Sequence, residues 1–288
     1  MIRAALIALF LLVPTSLPAQ AQTSVTAPGS VYATEAPALY AMFEAMGLYE
    51  VLGIMAQEHY QGAEALEASM FPGEGGASWQ AQIATFYSHD RLVSLFEDSF
   101  PRDALSAEHV TVITEFMRSP VGQRLIEGEI AARRAFLDAS ALEQGSAALV
   151  SAMEAEDVRL ETLLAFNEVN DLIHRNVSGA MNARFAFFRG LVDGGAFDDD
   201  MGEDFMLDDV WSQEPAIRQD TIEWLFSFQF TAYSGLDNAD LQAYVDHSLT
   251  DAGQAIIAAL FVAFDDMIGA LSYEMGYAAA GYIGGEDI

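Results

Sequence analysis

The chain has 288 residues, with 12 Lys plus Arg against 43 Asp plus Glu, for a formal charge of −31. A hydrophobic fraction of 52% excludes global disorder, which combines high charge with low hydrophobicity, and the acidity excludes nucleic-acid binding, which needs clustered cations. Cysteine is absent, which rules out disulfides, thiol nucleophiles, thiolate metal sites and a cysteine-linked lipid anchor.

Residues 1–21 read as a secretory signal peptide. Arg3 is the positive start, Ala4 to Val13 are an unbroken apolar run, and Ala19-Gln20-Ala21 is a small-x-small cleavage site. The run is too short for a membrane span of about 20 residues, so the mature chain is expected to start at Gln22 and to be periplasmic or secreted, without a stable membrane anchor. Ala255 to Phe264 is also apolar, but Asp251 and Asp265-Asp266 bracket it, and core packing is the expectation there. Residues 22–33, with Pro28 and Gly29, read as a flexible lead-in.

From residue 34 onward, helix formers dominate and strand signals are missing. The patterning predicts helices over 34–60, 62–70, 78–98, 106–118, 120–138, 139–175 (with a break), 177–193, 215–233, 237–249 and 251–280. Breaks fall at Pro72 to Gly76, Pro101, Gly194-Gly195 and Ser234-Gly235. The fold class is all-α: a helical array or bundle of two related multi-helix units.

One stretch carries its own mechanism. Ser106 is placed to cap a helix, with Leu105 and Val110 spaced as a hydrophobic staple. Ser119-Pro120 ends that helix and starts the next. Gly122 follows inside the first turn, at a cost of about 1 kcal/mol against alanine, so a close neighbour is expected there. Displaced by 131 residues, the pattern recurs. Asp237 caps behind Leu236, and Thr250-Asp251-Ala252-Gly253-Gln254 stands in for Ser119-Pro120-Val121-Gly122-Gln123. The division expected is unit 1 over 34–138, a helical connection over 139–164 and unit 2 over 165–288.

The segment from Phe100 to Phe136, with Phe116-Met117-Arg118-Ser119-Pro120-Val121-Gly122-Gln123 at its centre, resembles a bacterial family of secreted, all-helical envelope proteins, domain-of-unknown-function family 2059. The resemblance implies export and a helical fold and supplies no catalytic residue. The second copy departs from the motif, with His247 in place of Phe116 and Asp251 in place of Pro120.

Every basic residue is arginine, and six of the twelve lie from Arg91 to Arg134. Arg118, Arg124, Arg133 and Arg134 form a candidate anion site, because guanidinium suits carboxylate and phosphate. The competing expectation is ion pairing with nearby Glu108, Glu115, Glu127 and Glu129. The run Asp198 to Asp204, continued by Asp208-Asp209, suggests calcium but lacks EF-hand spacing, and a solvated loop is expected. Histidines at 59, 89, 109, 174 and 247 show no metal spacing. The dense aromatics from Phe185 to Phe188 and from Trp224 to Tyr233 fit either an apolar pocket or an ordinary core.

No catalytic motif stands out, and no cofactor or metal is expected. The resulting reading is an exported helical protein with a non-enzymatic binding or structural role, meeting a hydrophobic or basic envelope partner in a groove between the units. Two alternatives stay open: an envelope-polymer hydrolase using unrecognised carboxylates, and a small-anion binder using the arginine patch.

Overall fold

The computed structural model describes residues 30–197 and 203–283, so the expected signal peptide, most of the expected lead-in and the first half of the acidic run lie outside the described residues. Among the described residues there are fourteen α-helices and no strand, and the fold is all-α.

Where one helix was expected over 34–60, the chain forms three: α1 (Tyr32–Glu35), α2 (Pro37–Ala45) and the long α3 (Leu48–Met70), which runs on through residue 62. Pro37 starts α2 at a position that needs no N–H. Gly47 breaks the chain between α2 and α3 with φ +65°, and a Cβ there would lie 2.6 Å from Cδ1 of Ile130. The 78–98 stretch likewise divides at Ser88 into α4 (Gly76–Phe86) and α5 (His89–Ser99).

The lead-in expectation fails at its C-terminal end. Ser30 and Tyr32 are buried, held by Glu97, which is only 1% exposed. The Glu97 carboxylate accepts from the Ser30 hydroxyl, from the Tyr49 hydroxyl at 2.8 Å and from the N–H groups of Val31 and Tyr32 at 3.0 and 3.3 Å. A buried carboxylate persists when its lone pairs are filled in this way.

The expected caps form in α6 (Ala107–Met117) and α7 (Pro120–Ala135): the Ser106 hydroxyl accepts from His109 N–H and the Ser119 hydroxyl from Gly122 N–H, each at 3.1 Å. The 139–175 stretch breaks twice, into α8 (Ala139–Glu154), α9 (Arg159–Val169) and the start of α10 (Leu172–Asp193). The breaks sit at Glu156 and Asp171, non-glycine residues with φ 52° and 50°. The acidic loop expectation needs correction: from Glu203 onward the run is helical, as α11 (Glu203–Ser212). Asp209 accepts from the Gln213 side chain at 2.8 Å and pairs with Arg184 at 3.4 Å.

The chain closes with α12 (Glu214–Ala232), α13 (Asn238–Ser248) and α14 (Asp251–Ile283). By length and composition alone, α14 could cross a membrane. Here Ala263, Met267 and Ala279 on it are fully buried, and it packs against α4, α5, α6, α10 and α13. Its closest neighbour is α10. A Cβ on Gly190 would lie 2.1 Å from the Tyr273 carbonyl, and one on Gly276 2.0 Å from the Phe187 carbonyl, so only glycine permits this backbone approach. Burying a Leu, Phe or Met side chain contributes about 1.5–3 kcal/mol, and α14 places Met267, Leu271 and Met275 in the main core.

The two motif copies adopt one geometry. Gly122 and Gly253 face the last turn of the preceding helix: a Cβ would lie 2.2 Å from the Phe116 carbonyl in one and 2.3 Å from the His247 carbonyl in the other. Gln123 donates to the Met117 carbonyl and Gln254 to the Ser248 carbonyl, both at 2.7 Å. Thr250 accepts from Gly253 N–H at 3.0 Å, as Ser119 does from Gly122. The rings of Phe116 and His247, at matching positions, stack on each other with centroids 3.9 Å apart. Of the two helices that follow the corners, α7 packs on α12, and α14 packs chiefly on α10 and also on α5.

Candidate functional site

Four of the long helices, α3, α10, α12 and α14, line a half-open cavity of about 420 Å³, bounded at one side by the end of α7 and the start of α8. That volume is within the range of about 300–1,000 Å³ usual for small-molecule sites. The wall is largely apolar. Phe136 just past the end of α7, Phe187 from α10, Trp224 from α12 and Phe261 and Phe264 from α14 supply its aromatic surface. Trp224 is fixed by stacking on Phe228 at 5.2 Å and by an edge-on contact with Phe136 at 6.3 Å.

The sequence left two roles open for the aromatics, and each describes part of them. Phe187 and Trp224 line the cavity. Phe226, Phe230 and Tyr233 are buried in a separate core cluster.

Charged groups occupy specific places on the wall. Glu58 and Arg133 pair through two N–H···O bonds of 3.1 and 2.7 Å. Arg184 pairs with Asp209, and its buried Nε has no acceptor. Arg175 lies over the ring of Phe261, 5.4 Å from the centroid, and its Nε is also buried without an acceptor. Asp220 and Asp265 line the same space, and burial raises the pKa of each. His59, also on the wall, is pushed down to about 4, chiefly by burial.

The four arginines named from sequence do not gather into one site. Arg118 donates to the Ala41 carbonyl at 3.5 Å. Arg124 pairs with Asp240, Arg133 with Glu58 and Arg134 with Glu50. The pairing is real but the partners differ from the expected Glu108, Glu115, Glu127 and Glu129. It runs between helices, tying α7 to α13 and α3. Of the four, only Arg133 reaches the cavity. Arg118 and Gln123 border a more open hollow of about 500 Å³, shared with Glu44, Glu50 and Glu127, where three carboxylates oppose an anion.

Ser119, Pro120, Gly122, Gln123, Gly253 and Gln254 build the two corners described above and take no part in the cavity. Among the histidines, Nε2 of His89 contacts the Tyr49 carbonyl at 2.7 Å, and Nε2 of His247 is buried without a partner. Among the described residues no group of three His, Asp or Glu side chains could hold a metal ion.

Sequence reasoning missed Arg175. Asp171 stands four residues before it, the spacing of a helical ion pair. The left-handed backbone at Asp171 takes that carboxylate off the helix, and nothing in the local pattern announces it.

No protein-family model, curated protein or solved structure matches the chain.

Proposed function

We propose that this is an exported, non-enzymatic binding protein that holds an apolar ligand in the cavity between its two halves. The observation that carries the reading is the 420 Å³ space walled by Phe136, Phe187, Trp224 and Phe264. An ordinary core closes such a volume by side-chain interdigitation, whereas a carrier keeps it open for cargo. The signal-like residues 1–21 support export to an envelope compartment, in line with the resemblance of Phe100 to Phe136 to the secreted helical family. Matching corners and the Phe116–His247 stack support two related units, over 34–138 and 165–288.

The test uses a neutral apolar dye such as Nile red and the mature chain. Wild type should bind it in a saturable way, and Ala180→Phe, which fills the cavity from α10, should abolish binding without lowering the melting temperature. Equal binding by both proteins ends the reading. N-terminal sequencing of protein recovered from its host's envelope checks the export half, with Gln22 as the expected first residue.

A second reading draws on Asp220 and Asp265, carboxyls on the same wall with raised pKa. Such groups serve as general acids in polymer hydrolysis. Turnover of an envelope polysaccharide that disappears in Asp265→Asn would favour it over carriage.

A further inference from the structure

The cavity also carries a chemical preference, and this inference rests on the binding reading above. Among the described residues, nine of the eleven arginines have a carboxylate within 4.0 Å. Arg118, one of the other two, is an exposed residue that reaches a carbonyl. Arg175 is the remaining one. It is half-buried on the cavity wall and has no side-chain acceptor among the described residues, with its Nε out of reach of water. In a chain with 43 acidic residues and 12 basic ones, a carboxylate is the usual companion of an arginine. A buried N–H without an acceptor is a costly exception in folded proteins.

We infer that the cavity takes a single-chain amphiphile with one anionic head, carboxylate or phosphate, and that Arg175 receives the head. The guanidinium presents a planar fork that matches either oxyanion in two parallel bonds. Phe261 beneath it holds the plane in place. The tail then runs along the aromatic wall formed by Phe136, Trp224 and Phe264.

The other charges on the wall limit the ligand to one head. Glu58 and Arg133 neutralise each other, and the charge of Arg184 is met by Asp209 at 3.4 Å, although its Nε too lacks an acceptor. Asp220 and Asp265 remain, lining the same cavity. They oppose a second anionic group by like-charge repulsion.

The experiment is competition against bound Nile red on the mature, delipidated chain. The competitors share a dodecyl tail: laurate, dodecyl phosphate, dodecanol and dodecyltrimethylammonium, each below its micelle concentration. Wild type should prefer at least one anion to the alcohol by on the order of tenfold, the effect of a charge-assisted hydrogen bond. The ratio of laurate to dodecyl phosphate identifies which head it is built for. Arg175→Gln should erase the anion preference while dye affinity and melting temperature stay at wild-type values. Arg175→Lys should keep part of it, and Arg124→Gln, on the surface, should change nothing.

Equal affinity for anion and alcohol in wild type, a preference for the ammonium, or an undiminished anion preference in Arg175→Gln would each overturn the inference while leaving the carrier reading intact. Absence of saturable dye binding would remove both.

Discussion

The corner between α6 and α7 and the corner between α13 and α14 do the same work with different residues. One is Ser119-Pro120-Val121-Gly122-Gln123 and the other Thr250-Asp251-Ala252-Gly253-Gln254. In both, a hydroxyl caps the incoming helix, a glycine lets the chain fold back on the helix before it, and a glutamine amide caps that helix's last turn. Hydroxyl, glycine and glutamine recur because each meets a fixed atom of the neighbouring backbone. The residue directly after the cap varies because proline and aspartate both suit a first helical turn.

The strongest way to break this equivalence is to add a methyl group. Gly122→Ala and Gly253→Ala each push a Cβ to within 2.2 and 2.3 Å of a carbonyl oxygen. Each should cost about 3 kcal/mol of stability, the upper range for overpacking, and denaturant unfolding of the two variants should give equal losses. A loss at one corner only would end the comparison.

The Phe116–His247 stack offers the next test. Burial lowers the His247 pKa, so the folded protein resists protonation that the unfolded chain accepts. Stability from this site is therefore present above the unfolded histidine value of about 6.5 and is lost as pH falls through it. His247→Phe makes the two corners alike and removes a buried ring nitrogen that has no partner. It should stabilise by about 1 kcal/mol at pH 7 and by more at pH 5, as read from thermal unfolding at both pH values.

Smaller effects sharpen the picture. Ser119→Ala and Thr250→Ala should each cost about 1 kcal/mol, the usual value of an N-cap. Pro120→Ala should cost about 0.5 kcal/mol, because proline at this position acts mainly by restricting the unfolded chain. Chemical denaturation checks all three, and a Pro120 effect larger than the cap effects would reverse the ranking.

The same contrast shows what was legible in the sequence. Caps at Ser106, Ser119 and Asp237 were readable because each is a local event: an oxygen meets an N–H two or three residues away. The close contact at Gly122 was readable as an otherwise unfavourable residue in a helix. Glu156 and Asp171 were not, since left-handed backbone at ordinary residues is imposed by packing and leaves no glycine to mark it. Helix α11 was misread as loop because its acidic composition resembles solvated chain, while Asp209 is in fact held by Arg184 and Gln213. The arginine patch was read as a unit because its members are close in sequence. Their partners, Glu50, Glu58 and Asp240, come from other helices.

By itself the sequence determined the helical class, the positions of the corners and the capping chemistry, because apolar period and cap residues act within one or two turns. Tertiary structure alone decided which carboxylate each arginine meets, where the helices stand apart to leave a cavity, and that Arg175 faces it with no carboxylate partner among the described residues. Those outcomes depend on side chains brought together from segments tens to hundreds of residues apart, and local patterning carries no record of such distances.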